Sequence, residues 1–178
     1  IAGEGGPLNI TLTENFNVVQ RGKILLLKES KCENPNIGLH ELLHVLGFKH
    51  SKNEASIMYE ISKCNQIITK DIIDEINSLY SINSLPDLII NNISAESHGR
   101  YLDISFNIMN EGLKKSDKTL VIISINNKTI EKINLSELDI GYGNSITLKN
   151  LKLPFSKVEI ISLNIDSSFE ELNKKITK

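Results

Sequence analysis

The stretch "HELLHVLGFKHS", residues 40–51, holds three of the chain's four histidines. His40 and His44 are spaced by four, so on a helix they share a face one turn apart and both imidazoles can reach one ion. Gly47 can stop the helix and let the chain turn back, which allows His50 to supply a third nitrogen. Three neutral imidazoles leave the fourth tetrahedral position of a zinc ion open. That is the pattern of a catalytic site; a structural site is closed, typically by cysteine. Glu41 stands beside a ligand, where its carboxylate can reach a zinc-activated water without binding the metal. It can take a proton as that water attacks a carbonyl, then deliver it to the departing amine. Stray histidines on an amphipathic helix are the plain alternative. Ordinary residue frequencies give this whole set of offsets only on the order of 10⁻⁵ times per chain.

The flanking residues supply the elements that must position this group. "GPLNITLTE" (6–14) and "GKILLLKES" (22–30) read as strands joined by polar or glycine-containing connections. "NPNIGLHELLHVLGF" then takes helical period, with Asn34 as N-cap, Pro35 at the first helical position and Ile37, Leu42, Leu43, Val45 and Leu46 as an apolar face. "SIMYEISKCNQ" is irregular. "TKDIIDEINSLYS" is a second helix, capped by Thr69, with Ile72, Ile73, Ile76, Leu79 and Tyr80 at helical spacing. Past "SINSLPD" the period changes to two: Leu102, Ile104, Phe106 and Ile108 alternate with Asp103, Ser105 and Asn107. Turn signals at "NEG", "NNK" and "GYGNS" separate further short runs, so six or seven strands without a helical pattern predict an all-β Ig-like sandwich. The expected domains are residues 1–84 and 86–178.

Composition limits the function classes. A net charge of -2 and the lack of a Lys/Arg cluster argue against a nucleic-acid partner. No apolar run approaches the length of a transmembrane segment. The two cysteines, Cys32 and Cys64, bracket the histidine motif and are too far apart for a CxxC pair. They read either as two buried thiols or, the preferred reading, as a disulfide stapling the loop before the motif to the loop after it. The disulfide would imply an oxidising compartment and an extracellular or cell-surface location.

"HELLHVLGFKH" matches the H-E-x-x-H-x-x-G-x-x-H signature of the metzincin metallopeptidases. Ser51 directly after the third histidine, and "SIMY" at 56–59, make residues 5–82 resemble the matrixin branch. That resemblance implies an α+β zincin-like catalytic domain with one catalytic zinc held by His40, His44 and His50. Glu41 would be the general base and Met58 the residue of the Met-turn beneath the metal. It also implies a protein or peptide substrate, added as an extra strand along "PLNITLT". Leu39, Leu43, Tyr59 and the segment after it would border the pocket just past the scissile bond. Matrixin domains carry further strands and a long helix ahead of that edge strand. The expectation is therefore a catalytic domain truncated at its N-terminus, beginning upstream of Ile1, with a minimal fold as the alternative. The calcium and second zinc of many relatives belong to that upstream region and are not carried over.

The second half resembles the cell-adhesion-related bacterial Ig-like modules in its opening "PDLII", its "NEG" turn and its closing "NIDSSFEELN". The resemblance implies a module that spaces, anchors or binds a cell-surface ligand, and no chemistry. The leading expectation is a zinc-dependent endopeptidase. Its rivals are an adhesion protein with an inert or incomplete peptidase half, and a closed structural zinc site.

Overall fold

The computed structural model describes residues 2–29, 31–154 and 158–166. It divides into two compact units: Ile1–Leu12 with Asn17–Asn83, and Ser84–Lys178 with the short connection Thr13–Phe16. Among the described residues the architecture is mostly β with two helices, and neither helix is long and apolar enough to cross a membrane.

The first unit opens with an antiparallel pair, β1 (Gly3–Leu12) and β2 (Asn17–Leu26). Both strands begin earlier than the sequence reading placed them, and end before residues 14 and 30. For β1 the reason is compositional: "GEGGP" has almost no side chains to alternate, so its pairing leaves no period-two signal. The register Gly3↔Leu26 and Gly5↔Ile24 sets those glycines opposite apolar residues. Helix α1 (Asn36–Val45) follows, then an irregular stretch, then α2 (Lys70–Tyr80). Two capping expectations change. Asn34 makes no side-chain cap; Pro35 occupies that position, and only the Asn34 carbonyl is used, by the Asn36 N–H. Thr69 does precede α2, but its hydroxyl donates to Ser56 Oγ instead of capping the helix. Leu43, Ile57, Met58 and Ile72 form a small core, with Leu39, Phe48 and Ile76 packed against it.

The second unit consists of β3 (Leu88–His98), β4 (Tyr101–Asn110), β5 (Thr119–Ile125), β6 (Lys128–Leu135), β7 (Gly143–Lys152) and β8 (Ile161–Asp166). They form two antiparallel sheets, β3-β4-β7 and β6-β5-β8. The alternating residues Leu102, Ile104, Phe106 and Ile108 share one buried core with Val121, Ile123, Ile125, Leu163 and Ile165 of the other sheet. This is the sandwich that the alternation predicts. The "NEG" turn explains itself here. Asn110 is fully buried: its side-chain oxygen accepts from the N–H groups of Asp87 and Gly112, and its amide donates to the carbonyls of Lys114 and Leu138. One side chain thus ties the first strand, the turn and the Leu138 segment together.

Candidate functional site

Helix α1 delivers His40 and His44 on one face, and its termination delivers His50. Gly47 adopts the left-handed conformation (φ +96°), which a Cβ would disfavour. The Gly47 N–H bonds to the His44 carbonyl and the Phe48 N–H to the Leu43 carbonyl, the two bonds of a Schellman ending. Phe48 packs on the Leu43 core, and its carbonyl accepts from His44 Nδ1 at 2.8 Å. The chain then returns so that Ser51 N–H bonds to the Met58 carbonyl and Ser51 bridges Tyr59, which fixes His50 beside the histidine pair.

The three Nε2 atoms converge. His44 Nε2 lies 3.0 Å from His40 Nε2 and 3.1 Å from His50 Nε2. His40 Nδ1 faces the Ile57 carbonyl at 2.7 Å. A carbonyl can only accept, so the neutral rings of His40 and His44 carry their proton on Nδ1, and both Nε2 atoms present bare lone pairs. Two lone pairs facing each other at 3.0 Å have no proton between them and repel. A cation at their meeting point removes that repulsion. Tetrahedral zinc with bonds of about 2.0–2.1 Å would hold nitrogens roughly 3.3–3.4 Å apart, within a few tenths of an ångström of these spacings. The donor set of His40, His44 and His50 therefore fits zinc, and each carbonyl partner orients a ring as a metal ligand requires.

Glu41 is buried. Its carboxyl end lies against Gly3 of β1: a Cβ built there would come within 2.8 Å of Glu41 Cγ and Oε1. At Gly5 a Cβ would collide with the Glu41 carbonyl, and at Gly22 with Val45. Glycines at i and i+2 on β1 thus let the backbone of α1 lie directly on the strand. No protein group among the described residues hydrogen-bonds the Glu41 carboxylate, so packing holds it and both oxygens keep their acceptor capacity. These glycines escaped the sequence reading; two glycines at period two facing a helix were the available signal.

The remaining expected residues fall in different places. Met58 is buried in the core beside Leu43, and its neighbour Ile57 supplies the carbonyl for His40. Leu39 is partly buried against that core and Tyr59 is half-buried, with Lys63 Nζ 5.7 Å from its ring centroid. Leu43, expected to border a pocket, is 5% exposed and packs on Ile57, Met58 and Ile72, so it has almost no surface to offer a substrate.

Cys32 and Cys64 form a disulfide. Thiol titration of the denatured, unreduced chain is accordingly expected to find no reactive thiol, and two after reduction. Free thiols before reduction would contradict the bridge.

The Peptidase_M10 family model, Matrixin, matches residues 3–81, and a second model, CARDB, matches residues 85–173. No curated protein and no solved structure matches the chain. With the three histidines already gathered, residues 3–81 are similar to the matrixin family, and the chain belongs to the CARDB family through residues 85–173.

Proposed function

We propose that the chain is an exported zinc-dependent endopeptidase whose domain at residues 1–84 cleaves peptide bonds and whose Ig-like domain at 86–178 serves attachment. The observation that carries this reading is the convergence of three Nε2 atoms with the buried Glu41 carboxylate on the next residue of the same helix. His40, His44 and His50 would hold one zinc. When bound, zinc supplies a Lewis acid that acidifies water and polarises a peptide carbonyl.

The protein's own residues do the rest. Glu41 accepts a proton on a carboxylate oxygen as water attacks the carbonyl carbon. It returns that proton to the nitrogen as the C–N bond breaks, leaving a carboxylate and an amine. Held against Gly3 and without a hydrogen-bond partner among the described residues, the carboxylate keeps its acceptor capacity for the reaction. Strand β1 pairs only with β2 among the described strands, so its other backbone edge can take an extended peptide. Leu39 and Tyr59 would flank the substrate beyond the scissile bond. The Met58 side chain packs in the core that supports the histidine-bearing segments. The disulfide and the CARDB half support an extracellular or cell-surface location.

The test combines metal analysis with a peptide-library assay on the full chain. One zinc per chain and cleavage that stops on chelation and returns with zinc are expected. The CARDB half also supports a second reading, in which the chain binds a cell-surface ligand and the peptidase half is inert. Bound zinc without cleavage of any library peptide would sink the enzyme reading in favour of that one.

A further inference from the structure

Asn36 stands one helical turn before His40 and two before His44, at i, i+4 and i+8 along the same face of α1. It is only 3% exposed. Its side-chain amide donates to three carbonyls of a distant segment: Lys63 at 3.0 Å, Cys64 at 3.3 Å and Gln66 at 3.4 Å. That segment belongs to the loop that leaves Met58 and returns at Ile67. The loop's base is closed by the Ile57 N–H on the Ile67 carbonyl at 2.7 Å.

Within the loop, Gln66 is buried and acts as a strut both across the loop and to the segment before it. Its amide donates to the carbonyls of Ile61 and Glu54, and its oxygen accepts from the Lys63 N–H. The disulfide adds a covalent tie from Cys64 to Cys32, four residues before Asn36. The metal-bearing face of α1 therefore grips this loop at two points one turn apart. His40 Nδ1 holds Ile57 at its base through the Ile57 carbonyl, and Asn36 holds its far limb. A loop this polar, with Glu60, Ile61, Ser62, Lys63, Cys64 and Asn65 all exposed, has little apolar burial to order it. Its shape comes from these tethers together with the Lys63 to Glu54 ion pair at 2.7 Å.

We propose that Asn36 is a positioning residue that locks the 59–66 loop in register with the metal histidines. On this proposal the wall flanking the substrate is set by the same helix that holds the metal. The proposal rests on the peptidase reading for its consequence and on the clamp geometry for its existence. Both can be measured separately. Aspartate at this position would have no donor and would face three carbonyls with a charge, so only a donor-bearing residue can serve.

The experiment compares the zinc-loaded full chain with Asn36→Ala and Asn36→Ser. It reads zinc affinity, amide hydrogen exchange and cleavage of a peptide library varied at the residue just past the scissile bond. For Asn36→Ala, exchange at the Lys63, Gln66 and Ile67 amides is expected to rise about tenfold, the weight of one lost hydrogen bond, without a matching rise in α2. Zinc affinity should stay within about threefold, since no ligand or carbonyl partner of a ligand is touched. The preference past the scissile bond should flatten, with KM rising more than kcat falls. Asn36→Ser retains one donor and should lie between the two; if the alanine variant does not fold, the serine variant decides on the same readouts. Unchanged loop exchange with unchanged preference overturns the proposal. So does exchange that rises evenly through the unit, because that marks a residue needed only for stability. Absence of cleavage by the wild-type chain overturns the peptidase reading alone, and the exchange pattern still decides the clamp.

Discussion

Replacing Glu41 by glutamine is expected to lower kcat/KM for peptide cleavage by about 10²- to 10⁴-fold while zinc binding is retained. Glutamine has the same length and shape, so it fills the space against Gly3 and leaves α1 in place on β1. What it lacks is a group that can take a proton and return it to the leaving amine. The three imidazoles are held by other contacts: the Ile57 carbonyl for His40, the Phe48 carbonyl for His44, and the Ser51 to Met58 bond beside His50. None of these involves Glu41. Metal content should therefore stay at one zinc per chain, and the loss should fall on kcat. Zinc content and single-turnover cleavage, measured on the same preparations, check this. Cleavage within tenfold of the wild-type rate would remove Glu41 from the proton transfers. Loss of zinc with loss of activity would mean that the side chain serves the fold of the site and not its chemistry.

The sequence made the site legible where local rules dominate. The spacing of His40 and His44 needs only a helix, and Gly47 followed by Phe48 needs only a helix ending; both are set within one turn of chain. The alternation from Leu102 to Ile108 was likewise readable, because one face of β4 is buried and the other is not. What stayed hidden depends on partners far away in sequence. Asn36 carries no local signal of its role, because its partners are Lys63, Cys64 and Gln66, about thirty residues on. Gln66 sits in a polar stretch that reads as solvated loop, but it is buried because it satisfies the backbone of that loop. Leu43 and Leu39 are one turn apart and look equivalent. Only the packing of Ile57, Met58 and Ile72 on α1 decides that Leu43 belongs to the core. The two capping expectations failed for a related reason. Side chains near α1 and α2 found tertiary partners, such as Ser56 for Thr69, which outweighed the local cap.

Three neighbouring glycines of β1 should respond very differently to alanine, and the contrast tests how the helix is seated. At Gly6 nothing lies within 4 Å of an added Cβ, so Gly6→Ala should be close to neutral. At Gly3 the three atoms nearest an added methyl all belong to the Glu41 side chain, with Cγ and Oε1 at 2.8 Å. That chain can swing, so Gly3→Ala should leave stability nearly unchanged but displace the carboxylate, with a loss of about tenfold or more in kcat. At Gly5 the obstacle is the Glu41 backbone itself, its carbonyl oxygen, carbonyl carbon and Cα. Backbone in mid-helix cannot step aside without moving the turn between His40 and His44. Gly5→Ala should therefore lower the unfolding free energy of this unit by roughly 1–3 kcal/mol, the cost of overpacking a close contact. It should weaken zinc binding as well, because the helix that carries His40 and His44 must lift off the strand. Denaturant unfolding and zinc titration across the three variants check the order. Equal effects at Gly5 and Gly6 would mean that α1 does not rest on this face of β1, and the seat inferred for Glu41 would fall with it.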